Sequence, residues 1–298
     1  MTSQMTVALL AQAIGTAFAV GTLLLLLLTL VPVSRATARQ LWPVLGSEAA
    51  ILAAGVLPWL LPPLALLACL LVAAARIGFE SGSVHGLTAG RDFRLSHGLL
   101  LVAAAGLSWF AATPVFLWVA ALVLAAAGGG LIITSERSLA GSVARFALFP
   151  LLPLAAFSHA ASAPQLAPLL VLAFFLVEIF DSFSLLGGKL YGRTPLVPRL
   201  SPRKTWEGLA TGIAATLTAL LALTAWLGLP LSPMLLAGAI VVASAIAGDL
   251  LGSQAKRRAG VKDYPAVMTV QGGLLDIADA WLVAGPVLAG LASLFGWT

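Results

Sequence analysis

The chain is a succession of long uncharged runs separated by short segments that hold almost all of its Lys and Arg residues. A helix needs about 20 apolar residues to cross the hydrocarbon core of a bilayer. Residues 6–32 supply one such span. The run between Glu48 and Arg76 carries no charge and is broken by Pro58, Pro62 and Pro63, which predicts two short helices over 48–61 and 63–78. The uncharged run between Arg94 and Glu136 splits at Thr113 and Pro114 into two spans, and residues 146–177 split near Ala163 and Pro164 into two more. Two further spans lie between Glu207 and Asp249, hinged from Gly228 to Pro233, and the last runs from Gly273 to Phe295. The pattern predicts an all-α, polytopic membrane bundle of about ten transmembrane helices, or roughly eight or nine if a Pro-broken run forms one long or re-entrant segment.

With ten spans, residues 33–47, 79–96, 135–145, 181–207 and 251–272 share one side of the membrane. Every Lys and Arg falls in those segments except Arg76, which sits at the same-side end of its helix. By the positive-inside rule that side is the cytoplasm and both termini lie outside. A wrong parity would scatter the basic residues across both sides.

Composition sharpens this picture. The chain is 60% hydrophobic and only 9% charged, against about 25% charged residues in a soluble domain. No hydrophilic block is long enough for a separate soluble domain. The net charge of +5 would suggest nucleic acid in a soluble protein. Here the basic residues sit in short loops between apolar runs, so anionic lipid headgroups or phosphorylated substrates are the expected partners, and nucleic acid is not. Cys69 is the single cysteine, which excludes an intrachain disulfide. The first charge is Arg35, so the first apolar run reads as a retained span and not as a cleaved leader.

Chemistry concentrates after residue 175, which divides the chain into N-terminal helices (1–175) and a C-terminal catalytic region (176–298) with loops 181–207 and 251–272. Before it, Glu48, Glu80, Asp92 and Glu136 suit loop ends and solvated faces. His85, His97 and His159 are isolated in sequence and suit polar loops or helix ends. After it, Glu178 and Asp181 close one span, Asp249 ends another, and Asp276 and Asp279 begin the last. Spacing of i, i+3 places each pair on one helix face. Carboxylates in apolar helices are costly unless paired or hydrated, which marks them as functional. The competing reading is structural ion pairing with Lys256, Arg257 or Lys262. Two loops rich in Gly, Lys and Arg accompany the acids. Glycine lets backbone amides approach an anion, Lys and Arg hold phosphate, and neighbouring carboxylates can hold Mg²⁺. Acids for a metal beside bases for phosphate suit phosphoryl or nucleotidyl transfer.

Three ordered motifs carry a resemblance. Ser253, Lys256, Arg257, Lys262, Asp263, Gly272, Gly273, Asp276 and Asp279 stand in the pattern Ser-x-x-Lys-Arg, four residues, Lys-Asp, then Gly-Gly-x-x-Asp-x-x-Asp. Upstream lie Gly248-Asp249 and the segment Ser201-Pro-Arg-Lys-Thr-Trp-Glu-Gly208. Together these resemble the bacterial CDP-diacylglycerol synthases, or phosphatidate cytidylyltransferases, over residues 181–290. The resemblance implies Mg²⁺-dependent transfer of CMP from CTP to phosphatidate or a similar lipid phosphate, with room for a second cation. It implies Asp249, Asp276 and Asp279 as catalytic metal ligands, with Asp181 as a further ligand. Lys256, Lys262, Arg257 and Arg258 would hold phosphates. Ser201, Lys204, Thr205, Glu207, Ser253, Asp263, Gly272 and Gly273 would bind or shape the substrate site. It places the protein in a bacterial inner membrane with its site facing the cytoplasm, and allows a homodimer. The chain departs from the family's pattern where Gln271 replaces His and Ile277 replaces Arg, and also at Phe183 and Pro265. A changed lipid acceptor and a catalytically inactive lipid- or nucleotide-binding relative are the alternatives. A transporter would place its acids deep in the spans, within inverted repeats.

Overall fold

The computed structural model describes residues 6–32, 34–112, 145–198, 201–268 and 270–297. The second of the two spans expected between Arg94 and Glu136, and most of the 135–145 segment, lie outside the described residues. The all-α expectation is borne out. In chain order the helices are α1 (Val7–Leu30), α2 (Arg35–Val56), α3 (Pro63–Ala89), α4 (Arg94–Trp109), α5 (Leu152–Ser162) and α6 (Ala167–Tyr191), then α7 (Trp206–Leu227), α8 (Leu231–Arg258) and α9 (Leu274–Leu294). Seven of the described helices are long and apolar enough to cross a membrane, with a shorter apolar stretch over Ala147–Ser162. A two-stranded antiparallel hairpin, β1 (Pro195–Val197) and β2 (Ser201–Thr205), lies between α6 and α7.

Several helices extend into segments expected to be loops. Residues 33–47 are not a loop, because α2 begins at Arg35. Its first turns are amphipathic: Ala38 and Leu41 are buried against Leu25 of α1 while Arg35 and Arg39 face outward. The prolines do break the next run, but α2 ends at Val56 in a 3-10 turn over Leu57–Leu60, and α3 continues to Ala89. That extension has a packing cause. A Cβ at Gly78 would sit 2.5 Å from Gly98 Cα, and one at Gly82 would sit 2.5 Å from Phe93 O. Bare backbone every fourth residue lets α3 and the start of α4 lie in contact. Likewise α6 runs to Tyr191 and α8 to Arg258, so each carries its basic residues on a helical end.

Helices α6 and α9 form the centre. Leu169–Val177 of α6 is buried throughout, as is nearly every residue of α9 from Ala278 to Ala289. Small residues in α9 allow this: at Gly285 an added Cβ would lie 3.0 Å from Leu170 and 3.1 Å from Phe157. Trp281 packs edge-on against Phe157 and Phe174, with ring centroids 5.4 and 5.9 Å away. Helices α1 and α2 join this core through Leu10, Ile14, Ile51 and Val56, and α1 turns other apolar side chains such as Leu23, Leu26 and Leu27 outward, the face a lipid-exposed helix presents.

Candidate active site

The acids of three helices converge near one lysine. The β hairpin pairs Pro195 with Thr205 and Val197 with Ser201, and this turns Lys204 back toward the bundle. Lys204 Nζ lies 2.7 Å from Asp249 Oδ2 of α8. Asp181 of α6 and Asp279 of α9 also lie within range of its charge and of Asp249. Burial alone would lower the Lys204 ammonium, but Asp249 and then Asp181 outweigh it and raise it above its ordinary value. The ammonium is therefore charged at neutral pH. Close helix packing brings Asp279 here: an added Cβ at Gly248 would collide with the Asp279 carbonyl, and one at Gly252 would lie 2.8 Å from its Oδ2.

Asp276, expected beside Asp279 as a metal ligand, has both oxygens engaged by protein. Lys256 Nζ lies 2.5 Å from Oδ1, and the amides of Tyr264 and Gly273 donate to Oδ2 at 2.8 and 2.9 Å. The Lys256–Asp276 part of the competing ion-pair reading is thus present. Gly272 has φ +89°, and a Cβ there would lie 2.6 Å from Asp276 Oδ2. The turn needs glycine for its backbone conformation as well as for space. Lys256 also lies over the Tyr264 ring, 5.4 Å from its centroid. Burial, then the charges of Asp279 and Asp276, push the Tyr264 phenol well above its ordinary range, so it remains protonated.

The remaining expected residues scatter in role. Thr205 caps α7 by accepting from Gly208 N at 3.1 Å. Glu207 accepts from the amides of Arg193 and Thr194 and from the Thr194 hydroxyl, tying the hairpin to α7. Ser201 opens β2, and Ser253 is buried one turn after Asp249. Lys262 pairs with Asp263 at 3.1 Å near the surface, Arg257 donates to Val261 O, and Arg258 lies within range of Arg145. Gln271 donates to Ser47 Oγ of α2 at 3.1 Å.

Beside the acids opens a cavity of about 250 Å³. Leu24, Leu25 and Leu28 of α1 and Leu41 and Leu45 of α2 form its apolar wall. Glu48, Glu178, Asp181, Asp276, Gln271 and Ile277 also line it, and none of the described lining residues is Lys or Arg. Glu48 stands within hydrogen-bond reach of Glu178.

Sequence reasoning missed several polar residues of the N-terminal half. Glu80, expected on a solvated face, is 0% exposed. It accepts from the amides of Leu274 and Leu275 and from Arg76. The usable signal was Arg76 and Glu80 at i, i+4 within a row of glycines spaced four apart, which marks a helix with one packed face. His85 and His97 are buried neighbours, not isolated residues. Their ring centroids lie 5.3 Å apart, and Ser81 Oγ lies 3.1 and 3.5 Å from their Nδ1 atoms. His159 meets Ser108 O.

Asp181, Asp249 and Asp279 offer hard oxygen donors around the charge of Lys204. No three His, Cys, Asp or Glu side chains among the described residues enclose a metal by themselves. Magnesium binds through one or two carboxylates and completes its shell with water and substrate phosphate, so the donor set fits it.

A model of the cytidylyltransferase family matches residues 4–295. The chain belongs to the cytidylyltransferase family. Similar proteins include phosphatidate cytidylyltransferase 5, chloroplastic, of Arabidopsis thaliana, 36% identical over 118 residues, which is 39% of this chain and 29% of the relative. A phosphatidate cytidylyltransferase of Pseudomonas aeruginosa is 35% identical over 132 residues, 43% of this chain and 49% of the relative. One from Aquifex aeolicus is 38% identical over 118 residues, 40% and 44%. The chain thus spans less than half the length of these curated relatives, while the cytidylyltransferase family model matches nearly the whole chain.

Proposed function

We propose that this cytidylyltransferase-family protein transfers CMP from CTP to phosphatidate or a similar lipid phosphate, giving a CDP-lipid and pyrophosphate. The observation that carries the proposal is the meeting of Asp181, Asp249 and Asp279 around Lys204, directly beside a cavity with one apolar wall. A phosphate oxygen of the lipid bonds to the α-phosphorus of CTP, the bond from that phosphorus to the bridging oxygen breaks, and pyrophosphate leaves. A phosphate monoester is already a competent nucleophile near neutral pH, so the protein needs no strong base. Its work is alignment and charge neutralisation.

One or two of Asp249, Asp279 and Asp181 would hold Mg²⁺, which when bound would neutralise triphosphate charge. Lys204 supplies a fixed positive charge at the same place. Lys256 and Asp276 brace the end of α8, which carries Arg257, and the loop after it, which carries Lys262; these two bases would face the polyphosphate. Residues 176–298 bear the transfer chemistry, and residues 1–175 contribute cavity wall and support. The basic segments face the cytoplasm, so CTP arrives from that side of a bacterial inner membrane. The cavity lining is acidic and, among the described residues, free of Lys and Arg; with Ile277 and Gln271 in it, this favours a second version in which the acceptor differs from phosphatidate in its headgroup.

Purified protein in detergent, given radiolabelled CTP and a panel of lipid phosphates with Mg²⁺ or with EDTA, tests both versions. Labelled lipid that requires Mg²⁺ is expected, and the panel identifies the acceptor. No labelled lipid with any acceptor overturns the proposal.

A further inference from the structure

The buried acid of the N-terminal half has a specific task. Glu80 Oε1 takes the amide of Leu274 at 2.8 Å and Oε2 that of Leu275 at 2.7 Å. These are unpaired donors at the start of α9, which would otherwise be stranded in an apolar setting. Arg76, one turn earlier on α3, donates Nε to Glu80 Oε1 at 2.7 Å and an NH₂ group to Pro265 O at 2.6 Å. Its guanidinium lies 5.3 Å from the centroid of the Phe79 ring. One ion pair on α3 therefore grips both the loop before α9 and the first turn of α9. The grip requires Gly273, where a Cβ would lie 2.6 Å from Glu80 Oε2 and 2.7 Å from Tyr264 Cβ.

Asp276 closes the same turn from within, taking the amides of Gly273 and Tyr264. Two carboxylates thus share the α9 terminus, one supplied by α9 itself and one by a helix nearly two hundred positions earlier. One turn further along α9 stands Asp279, 5% exposed and pressed against Gly248 and Gly252 of α8.

We propose that Glu80, held by Arg76, is a positioning residue: it fixes the first turn of α9 so that Asp279 meets Asp249 in reactive register. It touches no substrate and acts through the Leu274 and Leu275 amides. The inference rests on the cytidylyl-transfer assignment of the site. It makes α3 part of the catalytic unit, although the transfer motifs all lie after residue 175.

Hydrogen exchange of the 264–277 segment, measured on the full-length protein in detergent beside CTP turnover, separates the two ideas. Glu80→Ala should speed exchange at Leu274 and Leu275 by about tenfold to a hundredfold, the loss expected for a charge-assisted hydrogen bond. It should also lower kcat by a similar factor and raise the Mg²⁺ concentration needed for half-maximal rate. Glu80→Gln keeps the volume and one acceptor oxygen and should fall between. It decides the matter if the Ala variant does not fold. Unchanged exchange in a folded variant overturns the grip, and faster exchange with native turnover and native Mg²⁺ dependence overturns the positioning role. If the native protein acts on no lipid phosphate, the site assignment fails, while exchange still decides whether Glu80 holds α9.

Discussion

At the scale of single residues, acids of similar sequence context do different work. Asp249 has one protein partner and 23% of its side chain exposed, whereas Asp276 is 8% exposed with both oxygens bonded. Asp249→Asn should therefore cut turnover by about a thousandfold, as expected when several kcal/mol of charge stabilisation are lost. Its melting temperature should stay close to native. Asp276→Ala should behave differently, since it leaves Lys256 buried without a counter-charge. Breaking a buried pair from one side costs about 3–5 kcal/mol, so this variant should melt at markedly lower temperature. Thermal melts of both purified variants check the contrast, and equal melting would contradict it. The acids and their spacing were legible because carboxylates interrupt an apolar pattern. Their division of labour was not, because it depends on the Tyr264 and Gly273 amides, which side-chain identity does not reveal.

Among the elements, the α3–α4 contact shows how glycine spacing sets helix length. Gly78 and Gly82 lie under the backbone of α4 and the segment before it. Gly82→Leu should force the pair apart, costing about 1–3 kcal/mol or more of overpacking. It should also disturb Arg76 and Glu80 on the neighbouring turns. In contrast, Gly15→Ala in α1, where an added methyl meets nothing within 4 Å, should leave melting and turnover unchanged. Melting both variants side by side makes the comparison. Span breaks at proline were readable from the chain, since proline removes a donor and clashes with the preceding turn. Helix ends lie beyond the expected positions at Arg35, Ala89, Tyr191 and Arg258, because charged residues do not by themselves end helices. They continue them instead, with long side chains reaching beyond the apolar layer.

For the whole molecule, the one-sided placement of Lys and Arg makes a topological prediction. In a Cys69→Ser background, single cysteines at Arg91 and Gly260 should react with a membrane-impermeant reagent only from the cytoplasmic side. One at Ser162 should react only from outside. Labelling of Arg91 and Gly260 from opposite faces would contradict the topology. The site itself joins parts far apart in sequence: Glu48 and Glu80, expected at loop ends and solvated faces, come from α2 and α3. Long-range meetings of this kind leave no local mark in a single chain. The central claim is that the α-phosphoryl group of CTP, with its nucleoside, ends on a lipid. Parallel reactions with CTP radiolabelled at the α-phosphorus and at the γ-phosphorus test it most directly. The α-label is expected in the lipid product and the γ-label in pyrophosphate. Label from the γ-phosphorus in the lipid, or none from the α-phosphorus, would contradict it.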